Sequence, residues 1–199
     1  MEILYKVHNN LYVNLTNKCP CACTFCLRQT KDRMGESDSL WLEKEPTAKE
    51  VISAFDSFDL SQFDEIVFCG FGEPTEAWEV LKEVAHFVKE TLHKPVRINT
   101  NGLGCLINGR DITPECEGLV DTLSISLNDP HPDKYHALVR SKFGDVSFDA
   151  MLDFAKKANR YVPNVVLTTV STTISKEDEA QCQKLCDELG VTYRIRPFE

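Results

Sequence analysis

Short runs of Val, Ile, Leu and aromatic residues alternate along the chain with longer stretches whose apolar side chains recur every three or four positions. The short runs predict strands at "LYVNLT" (11–16), "EIVFCG" (65–70), "VRINTN" (96–101), "TLSISLN" (122–128), "VVLTTVS" (165–171) and "TYRIRPF" (192–198). The longer stretches predict helices between them. Thr47 and Glu50 form a capping box ahead of Val51, Ala54, Phe55 and Phe58. Ala77, Val80, Leu81, Val84 and Val88 keep a helical rhythm, which Phe148, Met151, Leu152 and Ala155 repeat. Ser175 opens a last helix that Gly190 closes. Strand then helix, six times over, predicts a parallel sheet, either doubly wound or curled into an incomplete barrel. Period alone does not separate the two.

Composition narrows the function. The chain has 199 residues, no repeat and no linker, so one domain over 1–199 is expected. It contains no run of eighteen apolar residues and no signal-peptide pattern after Met1, so a cytoplasmic protein without a membrane segment is expected. The formal net charge of -9 opposes sequence-independent binding to a phosphate backbone, so nucleic acid is not the expected partner. Nine cysteines, without an export signal, argue for metal binding, redox chemistry or burial rather than a disulfide scaffold.

In either architecture ligands gather at the carboxyl ends of the strands. The unusual residues follow strands: "TNKCPCACTFC" the first, "GFGEPT" the second, "TNG" the third, with "SLNDP" ending the fourth. Cys19, Cys23 and Cys26 read C-x3-C-x2-C. A [4Fe-4S] cubane ordinarily takes four thiolates, so three closely spaced cysteines leave one iron without a protein ligand. Cys21 lies out of register with these three and is expected to be a bystander. Alternatives stand beside this reading: Cys23 and Cys26 could be half of a zinc knuckle or a redox pair. Zinc would need a second close pair, and the only candidate, Cys182 with Cys186, fits the apolar face of the last helix beside Leu185 and Leu189.

The C-x3-C-x-aromatic-C pattern, with Phe25 as the aromatic, resembles the signature of the radical S-adenosylmethionine (radical SAM) superfamily. The resemblance implies a partial (β/α)6 TIM-like barrel, a [4Fe-4S] cluster on Cys19, Cys23 and Cys26, and SAM on the open iron, cleaved reductively to a 5'-deoxyadenosyl radical. "CGFGEPT" resembles the superfamily's G-G-E-P motif, which receives the methionyl amino group. Gly72, Glu73 and Pro74 carry that match, while Phe71 stands where many relatives have the first glycine. "SISLNDP" resembles the ribose-contacting strand, which implies roles for Ser126 and Asn128. The reading as a strand end capped by Asp129 and Pro130 stays open beside it. Asn101 in "INTNG" either touches ligand or holds a turn with Gly102. Arg194 and Arg196 alternate against Tyr193 and Ile195. Facing inward, they would set cations near substrate or the SAM carboxylate, with Arg196 the cofactor candidate; otherwise they pair with surface acids. The five histidines show no ligand spacing.

"YVNLTNKCPCACTFCLR", "INTNG", "GRDITPE" and "LVDTLSISLN" are similar to the TatD-associated radical SAM subfamily, which lacks an assigned reaction. The function expected is SAM cleavage followed by hydrogen abstraction from an unknown substrate, possibly a protein. A reducing donor of flavodoxin- or ferredoxin-like type would serve it. Glycyl-radical activation and radical nucleic-acid modification are the enzymatic alternatives. A non-catalytic iron-sulfur electron carrier or zinc module is the alternative of another class.

Overall fold

The computed structural model describes residues 2–34 and 37–197. Phe198, at the end of the last expected strand, lies outside them. Among the described residues, seven strands form one sheet in the order of the sequence. β1 (Leu4–Val7) pairs antiparallel with β2 (Asn10–Val13). From β2 onward every pairing is parallel, through β3 (Glu65–Phe68), β4 (Val96–Thr100), β5 (Thr122–Ser126), β6 (Asn164–Val170) and β7 (Thr192–Arg196). Sequential parallel neighbours with helical crossovers curl one way, and the two edge strands β1 and β7 are not paired with each other. The architecture is therefore the open, partial barrel expected, with β1 added ahead of it. The apolar run at the start hid β1, because the hairpin turns in two residues, with His8 left-handed at φ 52.

Among the described residues, six α-helices lie between strands: α1 (Ala48–Ala54), α2 (Trp78–Phe87), α3 (Gly104–Asn108), α4 (Pro132–Val139), α5 (Val146–Ala158) and α6 (Lys176–Leu189). The capping box of Thr47 and Glu50 is formed, with the Glu50 N–H donating to Thr47 Oγ1 and Glu50 Oε2 accepting from the Thr47 N–H. Ser175 caps α6 and Gly190 ends it left-handed at φ 71. Along α5 the buried face is Phe148, Met151, Phe154, Ala155 and Ala158, so Leu152 stands to its side.

Strand alternation divides the molecule into two faces. Ile66, Phe68, Val96, Ile98, Leu123, Ile125, Val165 and Leu167 pack outward on the helices in one continuous core that includes Cys182 and Cys186. Tyr12, Val67, Arg97, Asn99, Ser124, Thr168 and Arg194 have the opposite parity and line the inner face. A second, smaller cluster of Tyr5, Leu40 and Phe71 sits apart, flanked by Val7, Tyr12 and Met34. No helix among the described residues is long and apolar enough to cross a membrane.

Candidate functional site

The cysteine loop leaves the end of β2 and is pinned by the last turn of α4 and the segment that follows it. Ala22 N–H donates to Val139 O at 3.1 Å, Thr24 N–H to Leu138 O at 2.9 Å, and Lys142 N–H to Pro20 O at 2.8 Å. Cys21 and Ser141 close an antiparallel bridge in the middle of this run. Arg28 holds the loop from within: Nη2 donates to Cys21 O at 3.1 Å and Nη1 to Asn17 O at 3.5 Å. Gln29 Nε2 donates to Cys23 O at 2.6 Å. Almost every support is remote from the cysteines in sequence or made through carbonyls, and the sequence reading missed them. The one local signal was an arginine two residues past Cys26.

The four thiols of the loop are not equivalent. Cys19, Cys23 and Cys26 are partly exposed, whereas Cys21 is only 4% exposed. The Cys21 thiol hydrogen-bonds to both Cys19 and Cys23, which holds those two below the usual thiol range, helped by the nearby Arg28 charge. The same contacts with Cys19 and Cys23, and then burial, push Cys21 the other way, upward. Burial pushes Cys26 up.

The second loop, after β3, is packed against the first with no room to spare. A Cβ on Gly72 would stand 2.2 Å from Thr16 O and 2.7 Å from Lys18 O, both backbone atoms. The Glu73 N–H donates to Lys18 O at 2.8 Å. Glu73 itself is buried, and its carboxylate gathers this corner of the mouth. Oε1 accepts from Thr75 N–H (3.1 Å), Thr75 Oγ1 (2.8 Å) and Thr100 Oγ1 (2.7 Å), and Oε2 accepts from Asn101 N–H (2.7 Å). Burial raises its pKa and these donors pull it back part of the way. Pro74, also buried, starts the turn into α2. Phe71, the departure from the motif, packs edge-on against Trp41 at 5.2 Å and joins the small cluster with Tyr5 and Leu40. Gly70 lies against Asn14, whose Oδ1 would be 2.1 Å from an added Cβ.

A third loop closes the ring. Asn101 Oδ1 accepts from Leu103 N–H at 2.9 Å, and Nδ2 reaches the Cys21 sulfur at 3.6 Å. Asn101 therefore holds a turn and touches the cysteine loop at once. Lys18 to Glu73, Glu73 to Asn101 and Asn101 to Cys21 link three loops in a closed circuit of hydrogen bonds.

Beyond that circuit, Ser126 ends β5 partly exposed, and Asn128 follows it with φ 66, a left-handed conformation uncommon outside glycine. Asn128 is buried, and its Oδ1 has no hydrogen-bond partner among the described residues. Arg196 ends β7 with its Nε likewise unpartnered, close enough to Cys69 to offset part of the rise that burial gives that thiol's pKa. Phe25 is partly exposed within the cysteine loop. His131 and Asp178 pair 2.9 Å apart in the α4–α6 region, away from these residues.

The residues fit the group that the spacing suggests. Three accessible thiols share one loop at the carboxyl mouth of an open barrel, the fourth is buried beneath them, and two buried polar atoms at the mouth lack partners. No three His, Cys, Asp or Glu side chains among the described residues are gathered for a single ion, whereas a cubane spreads its thiolates over separate irons. Fold and mouth together define an α/β protein built around a cluster-type thiol loop. Residues 13–189 match the model of the Radical SAM superfamily, and the chain belongs to that superfamily.

Solved structures agree on the fold. SuiB of Streptococcus suis bound to the precursor peptide SuiA superposes with a TM-score of 0.70 at 16% identity, covering 96% of this chain and 39% of that one. A radical SAM methyltransferase from Sphaerobacter thermophilus gives 0.62 at 19% identity, covering 98% and 57%. Methylornithine synthase (PylB) gives 0.63 at 15% identity, covering 96% and 53%. The chain thus spans well under two thirds of each of these proteins. No curated protein matches its sequence.

Proposed function

We propose that the chain is a radical SAM enzyme that carries a [4Fe-4S] cluster on Cys19, Cys23 and Cys26. The observation behind this reading is the division of the loop's four thiols: Cys19, Cys23 and Cys26 partly exposed at the mouth, and Cys21 buried and in contact with Asn101 Nδ2. Bound together, cluster and SAM supply reductive cleavage of the sulfonium to a 5'-deoxyadenosyl radical that abstracts hydrogen from a substrate.

The chain's own residues bind and orient. Glu73 Oε2, which carries a single hydrogen bond from Asn101, keeps acceptor capacity for the SAM amino group, while Gly72 and Pro74 shape the backbone beside it. The unpartnered Asn128 Oδ1 and the neighbouring Ser126 are offered to ribose hydroxyls. Arg196, with a free Nε, answers the SAM carboxylate. Phe25 flanks the site from the cysteine loop, and Asn101 positions it through Cys21 and Glu73. A one-electron donor of flavodoxin- or ferredoxin-like type completes the reading. The TatD-associated grouping remains supported by the sequence motifs quoted above.

Anaerobic reconstitution tests the reading. The expected product is about four irons and four sulfides per chain, with 5'-deoxyadenosine formed on adding dithionite and SAM. Cys19→Ala, Cys23→Ala and Cys26→Ala should each lose the cluster and Cys21→Ala should keep it. An iron-loaded protein that makes no 5'-deoxyadenosine would instead support an electron carrier.

A further inference from the structure

The inner face of the barrel is cationic in a protein whose net charge is -9. Arg97 on β4 and Arg194 on β7 share this face with Arg196 above them, and Glu65 is their one carboxylate partner among the described residues. Arg97 Nη2 meets Glu65 Oε1 at 2.8 Å, with its side chain only 13% exposed. Its Nε, buried, has no hydrogen-bond partner among the described residues. Arg194 reaches inward from the open edge strand, past β6, to donate to Ser124 Oγ on β5 at 3.2 Å. Desolvation, then repulsion from Arg97 and Arg196, holds its pKa below the usual guanidinium range. Asn99, two residues beyond Arg97 on the same face of β4 and opposite Ser124, buries an Oδ1 that also lacks a partner among the described residues.

A folded chain gains nothing by facing guanidinium groups toward each other, because mutual repulsion costs at both and desolvation adds to it at the buried Arg97, while Arg194 stands partly in solvent on the edge strand. An oxyanion lowers both costs, since two planar forks bind it through charge-assisted hydrogen bonds. After Glu65 offsets one of the three arginines, two positive charges remain. Arg196, at the mouth, is taken by the proposed cofactor.

We propose that Arg97 and Arg194 form the substrate's anchor and bind a carboxylate or phosphate group carried into the barrel interior, with Asn99 Oδ1 accepting from an O–H or N–H on the same molecule. The substrate class is thus a small acid or phosphate ester with a neighbouring donor. This deepens the radical SAM reading, on which it rests for the meaning of the mouth, but binding itself needs no cluster.

The test uses the full chain before reconstitution. Its melting temperature is followed against succinate, inorganic phosphate and sodium chloride at matched ionic strength. A saturable rise with succinate, phosphate or both, beyond chloride, is expected, and the more effective anion identifies the oxyanion. Arg194→Gln, on the exposed edge, should weaken that binding roughly tenfold, the scale of one lost charge-assisted hydrogen bond. Arg97→Lys, which keeps a charge for Glu65 but removes the fork, should do likewise. If Arg97→Lys fails to fold, Arg194→Gln decides alone. No rise beyond chloride, or a rise unchanged in Arg194→Gln, overturns the proposal. Repeating the titration on reconstituted protein with saturating SAM separates the two anions. Unchanged affinity for the probe supports a substrate anchor, whereas displacement by SAM assigns the arginines to the cofactor and overturns it. Failure to assemble a cluster would defeat the radical SAM reading and leave the first measurement intact.

Discussion

The backbone N–H of Asn101 donates to Glu73 Oε2 at 2.7 Å, tying the loop after β4 to the loop after β3. Through the Asn101 side chain that tie continues to the sulfur of Cys21. Glu73 is therefore an organiser of the mouth. The three other donors converge on Oε1, so both oxygens hold the site together, one within the G-E-P turn and β4 and one across to Asn101.

Glu73→Gln separates those roles. A glutamine can keep its carbonyl toward the Thr75 and Thr100 donors only by pointing its NH2 at the Asn101 N–H, leaving two donors face to face in a buried place. The expected cost is about 1–3 kcal/mol of unfolding free energy, the range for a buried unsatisfied group. Urea denaturation of the metal-free chain measures it. Unaltered stability would show that Glu73's bonds are incidental to the fold.

Gly72→Ala presses a methyl group against two carbonyls that side-chain motion cannot relieve. The backbone of the cysteine loop or of the G-E-P turn must move, at a cost of about 1–3 kcal/mol. Because the displaced partner is the Thr16–Lys18 segment leading into Cys19, iron loading should fall with stability. Gly70→Ala meets the buried Asn14 side chain at Oδ1, Cγ and Cβ, so it should cost stability through the Asn14 bond to Leu40 O while sparing the Thr16–Lys18 backbone and iron loading. Equal losses of iron loading in the two variants would contradict the distinction between backbone and side-chain neighbours.

Arg28→Gln should leave the fold and weaken the cluster. Its guanidinium bonds the carbonyls of Asn17 and Cys21 and lies close to Cys19, Cys23 and Cys26, so it sets the loop's shape and favours thiolate. Supporting residues of this kind commonly change metal affinity by about 10–100-fold. Cluster loss to a chelator, followed by visible absorbance, should speed accordingly while the thermal midpoint of the metal-free chain stays near wild type. Arg28→Lys, with charge but no fork, should fall between.

Much of this was legible locally. The six parallel strands announce themselves by β-branched runs, and the Ser175 and Gly190 caps of α6 by residue type, because each depends on neighbours a few positions away. The inward side of β5 follows from parity alone. What stayed hidden depends on register between distant segments. That Arg97 meets Glu65 requires knowing that Val67 sits opposite Arg97 across β3 and β4. That Ser141 braces Cys21 joins residues 120 positions apart. Phe71 looked like a defect in a glycine motif until Trp41 and Leu40, from a loop with no periodic signal, supplied its packing partners. β1 was lost for a simpler reason: its turn is too short to interrupt the apolar run around it.

A last prediction concerns acid stability and lies away from the mouth. Asp178, in the first turn of α6, accepts from Lys134 Nζ at 3.0 Å, sits 2.9 Å from His131 Nε2, and donates its N–H to the Ser175 cap. The Lys134 bond first, then His131 and Ser175, hold its carboxyl below the ordinary value of 3.8. A helix N-terminus favours the same charge. The folded chain therefore prefers Asp178 ionised. Its contribution is complete above the unfolded value and is lost as pH falls through the depressed folded one. Asp178→Asn keeps the shape without the charge. Wild type should melt above the variant at pH 6, and the gap should close as the pH is lowered past the ordinary carboxylate value of 3.8 and through the depressed folded one. The α4–α6 contact would then be the first part of the outer layer to loosen in acid, visible as early amide exchange over 131–139. A gap that stays constant across this range would mean that the ion pair adds nothing to the fold.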